Sequence, residues 1–565
     1  MHEVWEPRND FSRRDFIKGG LTAALVSGGS LGAFYFGYEA TLSRPVRVGV
    51  LGTGDEGSVL IGSINPEYIE VQAIADVRPY NIHRAFHGDW YSEAAWKARP
   101  GLLAKYGWKT ESEARRHVRV YGDYRELLEG ERGRIEGVII ALPLFLHAPA
   151  AIAAMKAGLH VLTEKLMGHT VAQCKEMARA AKLAGKHLAT GHQRHYSILY
   201  DNALELVRRG LIGSLHYIRA QWHRGNLPGN DSWQPPLPRG AKPDDALAGT
   251  LERELAAWEK RLAELRNNPK SSPTEIELWE KRVAQKRAQL DDELVAESVK
   301  NWGYEDAVIA GQYRRPAIEE LIRWRLWQRT GGGLMAELGS HQLDAASLFI
   351  AAAHGGVKQK PLSVAALANR PLFPPDREVE DHIYCIFEFP APGYDENSEV
   401  DRLKRITVAY SSINGNGWGG YGETVFGTEG TLILERESEA SLYRTHEVGS
   451  YVEIRGTPEK PKLEIVDMPD EPSVVIGQHA LLEVTRGYTE QLEHWAWCIR
   501  RNPTASDPDV RPRCHPEVAL GDAVIALTAN LAARRGERID FDPAWFEPDL
   551  DRTPEGIAPD LARYA

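Results

Sequence analysis

The apolar run Val46-Arg47-Val48-Gly49-Val50-Leu51 leads directly into Gly52-Thr53-Gly54-Asp55-Glu56-Gly57. Each glycine of this Gly-x-Gly-x-x-Gly pattern suits a different task in holding a dinucleotide. Gly52 permits a tight turn off a strand, Gly54 lets a pyrophosphate approach the backbone, and Gly57 lets the next helix pack closely on its sheet. That helix presents its N–H groups and the positive end of its dipole to the phosphates. A second strand, Ile69-Glu70-Val71-Gln72-Ala73-Ile74-Ala75, ends at Asp76. The carboxylate falls about 20 residues past the last glycine, where such folds bind a ribose diol. Asp76 favours NAD because it repels a 2′-phosphate. Arg78 suits that phosphate and keeps NADP open. Thr53 and Glu56 complete the candidate loop contacts.

Two further stretches carry groups that act on a carbinol. Oxidation by hydride transfer needs a bound nicotinamide, an acceptor for the hydroxyl proton and a cation near the developing alkoxide. Lys165 ends the strand His160-Val161-Leu162-Thr163-Glu164-Lys165, where its ammonium supplies the cation or shares the proton. Further on, Gly331-Gly332-Gly333 opens a helix carrying Glu337 and His341. Their spacing of four puts both on one helical face. His341 is the candidate general base, and Glu337 is expected to hold its tautomer and stabilise the imidazolium.

The elements that must position these groups follow from periodicity. From Pro45 to about His169 strand and helix signals alternate, as in a parallel α/β sheet. Gly137-Val138-Ile139-Ile140-Ala141-Leu142-Pro143 is a buried strand stopped by proline, and Ala148 to Ala157 is an alanine-rich helix ending at Gly158. From about Gly213 the pattern turns to alternating strands, first Leu215 to His223. An insertion, about 241–299, places Leu251, Leu255, Trp258, Leu262 and Leu265 at helical spacing, then Ile276, Trp279 and Val283, with Leu290 and Leu294 continuing that face. Ser272-Pro273-Thr274-Glu275 between them reads as a capping box, so two antiparallel helices are expected.

A chain of 565 residues exceeds one ordinary domain. The net charge of −11 and the absence of a basic stripe argue against nucleic-acid binding. Cys174, Cys385, Cys498 and Cys514 show no metal-ligand spacing, and Cys498 with Cys514 is the one pairing considered. Ser12-Arg13-Arg14-Asp15-Phe16-Ile17-Lys18 precedes a weakly apolar run to about Tyr38, the pattern of a twin-arginine export signal. Export to the periplasm is expected, with cleavage and retention as an inner-membrane anchor both open, and the alternative is a basic tail before a membrane helix. In that compartment the cofactor must be held tightly and the hydride returned within one turnover.

Gly52-x-Gly54-x-x-Gly57, then Ala141-Leu142-Pro143-x-x-x-His147, then Ala157-Gly158-Leu159-His160-Val161-Leu162-Thr163-Glu164-Lys165 resemble the glucose–fructose oxidoreductase/inositol dehydrogenase/MocA (Gfo/Idh/MocA) family. The family usually reads Glu-Lys-Pro, where this chain has Leu166. It usually carries Asp where this chain has Glu337. The resemblance implies a doubly wound parallel Rossmann domain, residues 44–190. An α+β substrate domain, 191–540, with a large open and mainly antiparallel sheet follows. Residues 1–43 form the signal and 541–565 a tail. It further implies NAD (or NADP) as cofactor, a carbohydrate or polyol substrate and a homo-oligomer.

Within this framework Ala141, Pro143, His147, Glu164, Lys165 and Gln193 (or His192) are expected around the nicotinamide half, His147 with a helix-cap role as its alternative. Trp222, His223, Arg325 and His382 are expected to shape a polyol pocket. Two other classes stay open. One is an NAD-dependent glycosidase or lyase that oxidises transiently, eliminates, and returns the hydride. The other is a metal site or binding module built on Glu337, His341, His223 and His382.

Overall fold

The computed structural model describes residues 31–444, 450–457, 460–467 and 486–564. The twin-arginine stretch lies outside them. The N-terminal layer is a six-stranded parallel sheet, β1 (Val46–Leu51), β2 (Ile69–Ala75), β3 (Arg119–Tyr121), β4 (Gly137–Ile140), β5 (His160–Thr163) and β6 (Leu188–Thr190). Its order is β3-β2-β1-β4-β5-β6, so the winding reverses between β1 and β4. That reversal opens a crevice at the carboxyl ends of the strands, the usual place for a ligand in such sheets. The strands are nearly continuous runs of buried Val, Ile, Leu and Ala, as a sheet covered on both faces requires.

The second layer begins with β7 (Leu215–His223). Past the small hairpin β8 (Ala307–Ile309) and β9 (Tyr313–Arg315), it continues through β10 (Ser363–Asn369), β11 (His382–Pro390) and β12 (Arg405–Ile413). It is completed by β13 (Tyr421–Gly427), β14 (Gly430–Glu435), β15 (Glu439–Arg444), β16 (Ser450–Thr457), β17 (Lys460–Asp467) and β18 (Ile539–Asp540). The ten strands run β17-β16-β15-β14-β13-β7-β12-β11-β10-β18, antiparallel except where β7 meets β12. Side chains of β12 alternate between buried and half-buried along its whole length, the signature of a sheet with one face on the core. The fold is therefore a Rossmann domain joined to an α+β domain with a large, mainly antiparallel sheet.

Three further segments complete the N-terminal layer, two of them from far along the chain. The helix Tyr488–Arg501 lays Leu492, Trp495, Ala496 and Ile499 into the same core as Val46, Val48, Leu60 and Ile61. Gly137 is required there, since a Cβ would sit 2.8 Å from the Trp495 ring. Arg500 clamps Glu136 through both oxygens, at 2.8 and 2.9 Å. The short helix Leu31–Phe36 also docks on this helix, and Tyr38 donates to Glu493 at 2.6 Å. The last part of the apolar N-terminal run is thus folded onto the body. Residues 541–564 are likewise packed: buried Lys175 reaches the carbonyls of Ala544, Glu547, Leu550 and Arg552.

The insertion forms helices Thr250–Asn267 and Pro273–Leu290. Ser272 stands at the N-cap and Pro273 in the first turn, but the capping box does not form. Ser272 makes no side-chain cap bond, and Glu275 is drawn across the hairpin to Arg261 at 3.1 Å. Leu294 leaves the apolar face and is exposed, because the helix has by then given way to a 3₁₀ turn, Asp291–Val295. All four cysteines are free and buried, so Cys498 and Cys514 do not pair. Trp495→Ala is expected to destabilise the protein by about 3–5 kcal/mol, the usual cost of emptying a fully buried aromatic site. Chemical denaturation monitored by circular dichroism checks this, and a loss below about 1 kcal/mol would contradict the role given to this helix.

Candidate functional site

A cavity of about 1030 Å³ runs along the crevice and out between the two domains. Single small-molecule sites occupy roughly 300–1,000 Å³, so this space admits a dinucleotide with a second molecule beside it. Gly52, Gly54, Glu56, Asp76, Arg78, Ala141, Pro143, His147, Glu164 and Lys165 line one part of it. Trp222, His223, Arg325, Glu337 and His341 line the other.

The glycine loop fits a dinucleotide. A Cβ on Gly57 would meet the Gly52 carbonyl at 2.1 Å, and one on Gly52 the Ala141 carbonyl at 2.4 Å, which fixes both positions as glycine. At Gly54 a Cβ would have only the Asn81 amide, 3.7 Å away, as neighbour, so the space in front of it is open. The Thr53 N–H is turned to Asp76 Oδ2 at 2.7 Å, and the Arg78 N–H to Asp76 Oδ1 at 2.9 Å. These bonds hold the Asp76 carboxylate at the strand end where a ribose diol would lie.

The question of NAD or NADP turns on Arg78. Its guanidinium is held by Asp292 Oδ2, at 2.9 Å from Nε and 2.7 Å from Nη2, and Asp292 also accepts the Tyr80 N–H at 3.1 Å. Asp292 follows the inserted helical hairpin and is 1% exposed. The insertion is therefore no solvated appendage: it pairs with Arg78, a cation suited to a 2′-phosphate. The site fits NAD.

Lys165 reaches out of the Rossmann domain, donating from Nζ to the Glu337 carbonyl oxygen at 2.5 Å. The bond from Lys165 to Leu166 is cis. His147 sits between the carbonyls of Leu166 and Leu142, at 2.8 and 2.9 Å, and burial lowers its pKa to about 4. Glu56 and Glu164 are buried near one another. Burial pushes both carboxyls up, Glu164 well above the usual range with help from Glu56.

The expected relay of Glu337 with His341 is not formed. Residues Met335–Gly339 make a π-helical turn ahead of the α-helix Ser340–Ala353. The wider turn rotates residues four apart off a common face. Glu337 faces Arg325, 2.7 Å from its Nε. Burial raises the Glu337 carboxyl, but Arg325 and Lys165 overcome it and bring it to about 2. His341 lies beside Trp222 at 5.4 Å between rings, its Nδ1 buried with no partner. Burial, then the nearby Lys165 charge, drives its pKa well below the ordinary value, so its ring is neutral.

Two expected contacts fall elsewhere. Gln193 is turned from the cavity to Glu437, 3.3 Å away, because the adjoining 3₁₀ turn Gln193–Tyr196 carries it inward. Its neighbour His192 is buried in a cluster with His195, Asp344, Asp522 and Cys514, which already holds a cation: Lys358 donates to Asp522 at 2.5 Å. His382 pairs with Asp381 at 2.6 Å and lines no part of the cavity. His382 thus lies apart from Glu337, His341 and His223, and among the described residues these four form no metal-ligand cluster. Conversely, Arg224, Tyr421, Arg486 and Tyr488 line the cavity without a motif to mark them. Only the position of Arg224, directly after Trp222 and His223 at a strand end, offered a signal.

Residues 46–192 match the Gfo/Idh/MocA family model, described as an oxidoreductase family with an NAD-binding Rossmann fold. A glycosyl hydrolase family 109 protein of Stenotrophomonas maltophilia is 33% identical over 178 residues, 31% of this chain and 36% of that protein. An α-N-acetylgalactosaminidase of Shewanella oneidensis is 29% identical over 224 residues, 37% of this chain and 45% of that protein. The chain thus spans less than half the length of these curated relatives. The structure of an inositol dehydrogenase homolog from Azotobacter vinelandii, complexed with NADH and myo-inositol, superposes with a TM-score of 0.52 at 12% identity. It covers 88% of this chain and 98% of that one, a likeness of fold.

Releasing Arg78 should relax the choice of nucleotide. Asp292→Asn is expected to raise NADPH affinity relative to NADH about tenfold or more, the worth of a charge-assisted pair. Fluorescence titration measures both affinities, and an unchanged ratio would remove Asp292 from cofactor selection.

Proposed function

We propose that the protein is an NAD-dependent oxidoreductase that moves a hydride to or from a hydroxyl-bearing carbon of a carbohydrate or polyol, with its nucleotide tightly held. The observation that carries this is the convergence, on one cavity, of the glycine loop, the Lys165 ammonium and the neutral His341 imidazole. Bound NAD would supply the hydride acceptor. His341, whose neutral ring lines the cavity, would accept the hydroxyl proton. Lys165, fixed on the Glu337 carbonyl, stabilises the negative charge growing on oxygen. Arg325 keeps the Glu337 carboxylate ionised and holds the turn that presents that carbonyl.

A second reading, an NAD-dependent glycosidase acting by transient oxidation and elimination, is favoured by the names of the curated relatives. It is favoured too by Glu56 and Glu164, carboxyls held toward their protonated form and able to give a proton to a leaving group. The twin arginines at 13 and 14 support export to the periplasm, and the exposed Leu367, Tyr384 and Ile386 on the second sheet support a homo-oligomer.

Denaturing the purified protein is expected to release NAD(H) in stoichiometric amount, and a preparation carrying and binding none would sink both redox readings. Aryl-glycoside cleavage without net NADH would select the glycosidase, and net NADH formation from a free sugar or polyol the dehydrogenase. His341→Gln should lose at least about 100-fold in turnover with nucleotide still bound. Because its folded pKa is lowered, His341 stays the proton-accepting form as pH falls. The rate should therefore show no loss near pH 6.5 from this group, and a loss there that vanishes in His341→Gln would contradict the assignment.

A further inference from the structure

The guanidinium groups around the cavity are paired, with one exception. Arg78 holds Asp292, Arg84 holds Asp55 and Asp89, Arg323 holds Asp245 and Glu319, Arg325 holds Glu337, and Arg486 holds Glu437. Arg224 also lines the cavity, and among the described residues its side chain has neither a carboxylate nor a hydrogen-bond acceptor. Its Nε is buried and unpartnered. The carboxylates whose field reaches it are committed elsewhere: Glu337 to Arg325 at 2.7 Å and Asp231 to Arg377 at 2.6 Å.

Its position is nonetheless fixed. Arg224 follows the last residue of β7, its backbone N–H bonded to the Ile413 carbonyl at 2.9 Å. The guanidinium lies over two indoles, 5.7 Å from the Trp222 ring and 5.8 Å from that of Trp233. Trp222 in turn neighbours His341. Arg224 is half-buried, with its Nε shielded from water and without a counter-charge, and an unsatisfied donor in a cavity wall is suited to receive an anion. Its planar fork of donors matches a carboxylate through two parallel bonds.

We infer that Arg224 is an anion-recognition residue of the substrate site, and that the substrate is an acidic sugar bearing a carboxylate, as in a uronate. This rests on the carbohydrate reading above and narrows its substrate class. Arg224 would hold the acid group while the hydroxyl to be oxidised faces His341 and Lys165. Lys165, Arg224 and Arg325 lie about Glu337, whose carboxylate is committed to Arg325, which leaves the Arg224 guanidinium open to such a ligand.

The test is calorimetric binding to the full chain with its nucleotide in place. The probes are glucuronate, galacturonate and mannuronate, each against its neutral parent sugar, and glucose 6-sulfate against glucose. At least one uronate is expected to bind tenfold or more tighter than its parent, with the advantage shrinking as salt rises. In Arg224→Met the ratio should fall to about one, and Arg224→Lys should keep part of it. Circular dichroism confirms that both variants fold. A preference for glucose 6-sulfate that is likewise lost in Arg224→Met supports the same anion role with a sulfate ester as its source. Equal binding of acid and parent, a preference that survives in Arg224→Met, or binding of no acidic probe overturns it. A protein that binds uronates through Arg224 but neither carries nor reduces nucleotide would sink the redox reading and leave this one standing.

Discussion

The hydrogen bond from Lys165 Nζ to the Glu337 carbonyl joins a strand end of the first domain to a turn of the second, across 172 residues of sequence. It sets the separation of the two halves of the cavity. It also places a fixed positive charge between the nucleotide crevice and the aromatic pocket. The carbonyl belongs to a π-helical turn, a form of helix frequent at functional sites. Arg325 secures the same residue from the side-chain end. One residue thus serves as a rigid post for two cations, and His341 lies just beyond it in the following helix.

Buried ions brace the second domain beside the cavity. Arg194 is 2% exposed and binds Glu423 at 2.9 Å and Glu437 at 2.8 Å, while its Nη1 also donates to the His341 carbonyl. Such groups tolerate little displacement, since separating a buried pair leaves an uncompensated charge. They add more to the uniqueness of the arrangement than to its net stability. The imidazole that faces the cavity is held by its own backbone, and its ring is left free for chemistry.

Much of this was legible in the sequence because local rules governed it. The glycine loop, Asp76 and the strand ending in Lys165 depend on backbone clearance and strand termination, which a linear pattern records. The change to alternating strands after Gly213 likewise followed from two-residue periodicity. The relation of Glu337 to His341 did not, since counting by fours assumes an α-helix and the turn is wider. Asp292 reaches Arg78, and Arg486 and Tyr488 reach the cavity, from distant segments that no spacing rule relates to the glycine loop. Gln193 and His382 show the opposite error: polar residues beside a motif, each satisfied by a nearby carboxylate.

The helix Tyr488–Arg501, which covers the first sheet, has a consequence for how the molecule is made. In synthesis Trp495 appears long after Gly137, the residue whose groove it fills. Until then the nascent Rossmann half shows an uncovered apolar face to its surroundings. Sequence-distant closure of this kind slows folding through the entropy of joining far-apart segments. The nucleotide crevice lies on that same sheet, so its final shape waits on residues made well after those that carry the glycines.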